Sequence, residues 1–220
     1  MSAILIKALI IGTAAMVVPM MIVSVWYRIK WYKTLICAIL LTIFGTIGTY
    51  LLYYVENHRI EGVSFYGAVF LVPIVFVAVA KLVRLPYGEL MDLCAPAECI
   101  MLVVMKTQCA LTGCCGGMEL SVFGTTFRFP SQYAEMTNGL VILIVLMIMA
   151  RKKTFKGTLF LWYMVIYGCT RFVLNFFREV QDPFALGLSA GCFWSVWSVI
   201  FGAAGLVLWY RKKKQEAATS

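Results

Sequence analysis

Along the chain, apolar residues run almost unbroken through seven windows, and most polar positions collect between them. The windows cover about Ala3–Trp26, Tyr32–Val55, Val63–Val83, Gly88–Thr112, Tyr133–Ala150, Gly157–Phe177 and Leu188–Tyr210. Each is near the roughly 20 residues that carry a helix across a hydrocarbon core. The pattern predicts an all-α integral membrane protein with about seven transmembrane helices, forming one domain over residues 1–220. The fourth window is the least apolar. It holds Asp92, Glu98 and Lys106 and is interrupted by Pro96, so a broken, tilted or partly re-entrant helix is open there. The first window has no basic start and is long for a cleaved signal peptide, which predicts a retained helix.

The basic residues orient this array. Arg28, Lys30 and Lys33 lie in the first connection, and Lys81 and Arg84 at the third. Arg151, Lys152, Lys153 and Lys156 fill the fifth, and Arg211, Lys212, Lys213 and Lys214 follow the last window. Thirteen of the 19 Lys and Arg therefore share one side if every window spans. Positive charge is retained on the cytosolic side, so the N-terminus is expected outside and the C-terminus in the cytosol.

Composition agrees with the pattern: 62% of the 220 residues are hydrophobic, 13% are charged, and the mean hydropathy is +0.90. That excludes an ordinary water-soluble domain. The net charge of +9 follows from the one-sided basic loops and calls for anionic lipid headgroups rather than nucleic acid as partner. Of the eight cysteines, Cys37, Cys94, Cys99, Cys169 and Cys192 fall inside apolar windows and are expected to be packing residues. Cys114 and Cys115, at the start of an outer loop, are adjacent and would bridge only under strain, so free thiols or packing are expected. The single histidine, His58, and the lack of a C-x-x-C spacing give no zinc-ligand pattern, and no cofactor is expected.

Charge inside the windows carries the chemistry. An ionisable group in a membrane span is expected to face the bundle interior at a functional site, although Lys7 and Lys81 sit near window ends and can snorkel to the headgroups. Tyr167, Arg171 and Asn175 recur every four residues in the sixth window, with Arg178 seven beyond Arg171. That spacing aligns a phenol, an amide and two guanidiniums on one helix face. Phe172, Val173 and Phe176 occupy the opposite flank. Guanidinium forks match carboxylate or phosphate. Arg171 is therefore either part of a phosphate site or half of a structural ion pair with Glu135 or Glu98.

In the fourth window Asp92, Cys99 and Lys106 are seven apart and form a second polar stripe. It leads into the small-residue turn Ala110–Gly117, where glycines permit a sharp bend and close approach. Lys106 and Arg171 are both expected in the outer half, where they would converge on one anion. Downstream, Ser131 is a plausible N-cap of the fifth helix, with Glu135 in its first turn.

These blocks resemble the bacterial prolipoprotein diacylglyceryl transferases over about Gly62 to Gly187. GVSFYG (Gly62–Gly67) is similar to the family's G-M-S-F-H-G, and LMDLCAPA (Leu90–Ala97) to L-L-D-x-x-A-P. MKTQCALTGCCGG (Met105–Gly117) resembles G-R-x-G-x-x-x-N-G-x-x-x-G, and FPSQYAE (Phe129–Glu135) resembles H-P-[ST]-Q-L-Y-E. YGCTRFVLNFFRE (Tyr167–Glu179) is similar to Y-G-x-x-R-F-x-x-E-x-x-R. The seven-helix, N-out topology is also like theirs.

The resemblance implies a transferase that moves diacylglyceryl from phosphatidylglycerol to the thiol of a lipobox cysteine on a secreted precursor, in the bacterial cytoplasmic membrane. It makes Arg171, Tyr66 and Lys106 the candidate catalytic residues. Tyr167, Arg178, Asn175, Gln132, Glu135, Gly113 and Gly117 become candidate substrate-binding residues, and Asp92 and Pro96 match as well. A short outer loop at about 113–132 stands where the family has a larger head region.

Several positions depart from the pattern. The family's histidine falls on Tyr66, and a phenol of pKa about 10 is a poorer base than an imidazole near about 6.5. Lys106 replaces an arginine and loses its fork, Asn175 replaces a glutamate, Thr112 an asparagine and Ala134 a tyrosine. The losses spare the phosphate-holding side and strip the proton-handling side. Three readings follow: a diverged transferase of the family's reaction, a transferase with another acceptor or lipid, or a non-catalytic phospholipid-binding protein. A transporter fits less well, since no inverted halves are visible.

Overall fold

The computed structural model describes residues 3–59, 62–113, 116–122, 125–179 and 183–219. Cys114 and Cys115 lie outside the described residues. Among the described residues seven α-helices follow one another: α1 (Ala3–Tyr27), α2 (Trp31–Asn57), α3 (Tyr66–Val83), α4 (Tyr87–Thr112), α5 (Ser131–Ala150), α6 (Leu159–Asn175) and α7 (Ala190–Thr219). Five of them are long and apolar enough to cross a membrane, and α6 is a shorter apolar helix. The protein is a multi-pass helical bundle. Its lipid-type surface is explicit in exposed side chains such as Ile39, Ile43 and Ile47 on α2 and Ile144 and Ile148 on α5.

The fourth window forms one continuous helix, not a broken one, with Pro96 inside it. Pro19 in α1 and Pro73 in α3 are accommodated in the same way. Helical segments in a membrane tolerate proline because neighbouring groups satisfy the released carbonyl.

Small residues set the closest helix contacts. Gly48 of α2 and Gly67 of α3 meet backbone to backbone, and a Cβ on either would run into the other's carbonyl. On α6, Gly168 faces the Ser195 carbonyl of α7, and Gly202 of α7 faces the Leu161 carbonyl of α6. Without a hydrophobic drive between helices in lipid, such close approach supplies the packing energy.

The basic connections gather at one end of the bundle. Lys33 donates to the Arg84 carbonyl at 3.1 Å, Lys156 pairs with Glu89 at 2.9 Å, and Arg151 lies over the Trp26 ring. Trp209 on α7 lies close to Gly157 at this same end. Asp92 is wholly buried here and organises the start of α6. Its carboxylate accepts from the backbone N–H of Gly157 (2.5 Å) and Leu159 (2.8 Å) and from the Tyr27 hydroxyl (2.9 Å). The first N–H groups of a helix have no partner within it, and a buried anion meets both that need and the helix dipole. Asp92 is therefore a fold residue at one end, while Lys106, about 14 residues and roughly 20 Å along α4, serves the other.

At the opposite end two small hairpins cap the bundle. β1 (Glu119–Val122) pairs antiparallel with β2 (Thr125–Arg128), and β3 (Pro183–Ala185) with β4 (Leu188–Ser189). The segment leaving α6 joins this end: Gly117 bridges Arg178, and Met118 N–H donates to the Phe177 carbonyl at 3.0 Å.

Candidate functional site at the hairpin end

The site is built around one carboxylate. Glu135 points from α5 into the bundle with only 3% of its side chain exposed. Arg171 Nη1 lies 3.0 Å from its Oε1, and Lys106 Nζ lies 2.9 Å from its Oε2. Arg178 Nε stands 4.0 Å from Oε1. Cations from α4, α6 and the segment after α6 thus meet one anion, in a region where each of them is at most 13% exposed.

Two details of the sequence expectation change. Pro130, not Ser131, stands at the N-cap of α5, no side-chain cap bond forms, and Glu135 is the fifth helical residue. It faces inward to meet the cations instead of decorating a first turn. Helix α6 also ends at Asn175, so Arg178 is not on its face. It reaches Glu135 from the bridge to Gly117, because the chain turns back against the hairpin. The ion-pair alternative for Arg171 is realised with Glu135, and Glu98 takes no part.

Aromatic rings wall the cluster. Tyr167, fully buried on α6, stacks parallel to Tyr163 at 5.6 Å and packs against Tyr66 at 5.4 Å and Phe65 at 5.6 Å. Tyr66 opens α3, which the Gly48–Gly67 contact presses against α2. Its hydroxyl lies 2.7 Å from Ser195 Oγ, and Ser195 Oγ donates to the Gly191 carbonyl at 2.6 Å. A carbonyl only accepts, and a serine has one proton. Ser195 therefore gives its proton to Gly191 and accepts from Tyr66, so the phenol is the donor.

Asn175 Nδ2 donates to Ser189 Oγ at 2.6 Å and lies 3.1 Å from Cys192 Sγ. Gly191 sits against both Asn175 and Arg171, where a side chain would collide with the amide. The start of α7 is thus a wall of the site that the sequence reading left out. Its signal was present in Ser189, Cys192, Ser195 and Ser198, small polar residues three apart at the head of an apolar helix.

The remaining expected residues have backbone or edge positions. Gly113 ends α4 in the left-handed region at φ 72°, which favours glycine. Gly117 lets the hairpin close on the Phe129 carbonyl, where a Cβ would not fit. Gln132 is partly buried one turn before Glu135.

A buried carboxylate ringed by lysine and two arginines, beside a phenol and a thiol, suits an anionic headgroup at a membrane interface. Residues 3–209 match the family described as prolipoprotein diacylglyceryl transferase. The chain belongs to that family. A phosphatidylglycerol–prolipoprotein diacylglyceryl transferase of Geobacter sulfurreducens is 32% identical over 165 residues, 68% of this chain and 63% of the relative. One of the same description from Dehalococcoides mccartyi is 29% identical over 170 residues, covering 71% of this chain and 64% of the relative. A third, from Burkholderia cenocepacia, is 36% identical over 95 residues, 41% of this chain and 32% of its own length. The chain spans under two thirds of the length of these relatives. In this chain, Lys106, Arg171 and Arg178 around Glu135 form the one cluster among the described residues where three cations share a carboxylate.

Proposed function

We propose that this protein is a transferase of the bacterial cytoplasmic membrane that moves diacylglyceryl from phosphatidylglycerol to a cysteine thiol of a secreted lipoprotein precursor. The observation that carries this reading is the convergence of Lys106, Arg171 and Arg178 on Glu135 at the end of the bundle away from the basic loops. By the charge bias of the loops that end faces outward, where phosphatidylglycerol headgroups and secreted precursors meet.

In this reaction a lipid phosphate enters beside Glu135 and shares its cations. The thiol sulfur attacks the carbon of the diacylated glycerol that is bonded to the phosphate oxygen; the S–C bond forms and that C–O bond breaks. Glycerol phosphate leaves, its charge held by Arg171 and Lys106. Fixed positive charge aimed at the leaving group supplies stabilisation without reorganisation, and fixing both reactants removes an entropic cost. The thiol proton ends on the departing phosphate. Tyr66 is not the base: its proton is committed to Ser195, in a chain that stops at an amide carbonyl unable to take it onward. Its oxygen remains an acceptor that can orient the thiol.

The same two hydrogen bonds favour a second reading, a lipid-binding protein that keeps the headgroup pocket without turnover. Incubating the purified chain with phosphatidylglycerol labelled in its headgroup and a lipobox peptide separates the two. Release of glycerol phosphate that disappears in Arg171→Ala supports the transferase. Saturable lipid binding without release, together with no rescue of lipoprotein modification in cells lacking their own enzyme, would sink it in favour of the binding protein.

A further inference from the structure

A second polar site lies on the other side of the aromatic wall. A cavity of about 50 Å³ between α1, α2, α3 and α4 is bounded by Met16, Met101 and Met105, by Thr46 and Tyr50, and by Glu98. One water needs about 10–15 Å³, so the space admits a small polar group with part of a chain. Glu98 is only 2% exposed and makes no hydrogen bond or ion pair with any described residue. The hydroxyls of Thr46 and Tyr50 on the same walls are also without an intramolecular partner among the described residues. Phe65 bounds the cavity, and its ring packs edge-to-face on Tyr167, which walls the charged cluster. The two sites therefore share a wall and no polar residue.

A carboxyl group enclosed by hydrocarbon is costly unless something matches it. Here one acidic group and the free hydroxyls of Thr46 and Tyr50 line a largely apolar space, whose other hydroxyls, on Thr42 and Thr49, already donate to the Ala38 and Thr46 carbonyls of their own helix. A primary ammonium has three donors and no acceptor, and methionines adapt to the shape of an alkyl chain. We propose that this cavity binds the primary ammonium of an amphiphilic amine, with Glu98 as its counter-charge, Thr46 and Tyr50 as its further acceptors, and the alkyl chain along Met101 and Met105 towards the lipid. The site is independent of the transferase reading, and its test involves no turnover.

The experiment uses the full chain in phosphatidylcholine nanodiscs, with empty discs subtracted, and dodecylamine as the probe. Dodecylamine is expected to bind saturably and to protect Glu98 from modification by a membrane-soluble carbodiimide, read by mass spectrometry of the wild-type chain. Glu98→Gln should weaken binding about tenfold or more, as loss of a charged hydrogen-bond partner does. Thr46→Phe, which fills the cavity and keeps the carboxyl, should weaken it as strongly. Equal competition by dodecanol would overturn the ammonium assignment, and unhindered carbodiimide labelling at saturating amine would overturn the site. The labelling arm stands even if Glu98→Gln does not fold.

Discussion

Arg171 Nη1 and Glu135 Oε1 lie 3.0 Å apart, joining α6 to α5 through two side chains that are 8% and 3% exposed. Lys106 holds the other oxygen of the same carboxylate at 2.9 Å. The pair is both a fold contact and the core of the candidate site, and the two roles can be separated by experiment.

Glu135→Gln leaves Lys106, Arg171 and Arg178 gathered without their shared anion. Breaking a buried pair from one side costs about 3–5 kcal/mol, because charge is left uncompensated. A lower melting temperature in detergent is expected. Glycerol phosphate should raise it again, and by more than in the wild type, since an anion bound only to the folded state stabilises it. An equal response in both proteins would show that the cations do not take phosphate.

Asp92→Ala should destabilise without touching the headgroup site. It strands the N–H groups of Gly157 and Leu159 and the Tyr27 hydroxyl, at about 1–3 kcal/mol for each group left buried and unpaired. Faster hydrogen exchange in the first turn of α6 is the expected readout. Glycerol phosphate release per folded molecule should keep its KM.

Gly48→Ala sets two backbones apart, because its Cβ would meet the Gly67 carbonyl. A cost of about 1–3 kcal/mol is expected, as for other overpacked contacts. Gly45→Ala is the control: three residues earlier on the same helix, its Cβ would stop 3.7 Å from the Ala68 Cβ, ordinary contact. Thermal unfolding of the two variants should therefore differ clearly. Since Tyr66 precedes Gly67, lipid turnover should fall in the first and not in the second.

Tyr66→His should raise turnover by about a hundredfold, the lower end of what a positioned base contributes. A neutral imidazole accepts the thiol proton, whereas the phenol is a committed donor to Ser195. The base works when deprotonated, so the added rate should appear as pH rises through about 6.5. Wild-type turnover should lack that inflection. Unchanged or lower release in the histidine variant would mean that the site handles its proton elsewhere.

Much of the architecture was legible in the residue order. Seven apolar stretches of spanning or nearly spanning length and a one-sided set of lysines and arginines specify a multi-pass bundle and its basic end, because burial in lipid and retention of positive charge are sums over whole segments. Arg171 and Lys106 stood out for the same reason, as charge in hydrocarbon is rare enough to notice singly. Which partners they meet was not readable. Glu135 as the shared anion, Ser195 as the acceptor of the Tyr66 proton and Glu98 as a carboxyl facing a cavity all depend on contacts between helices far apart in the chain. Pro96 left the fourth helix whole, and Arg178 reached the site from beyond the end of α6, since neighbouring segments supplied what the local pattern lacked. Hydropathy is additive along a chain, whereas the direction of a hydrogen bond and the partner of a charge exist only once the helices are packed.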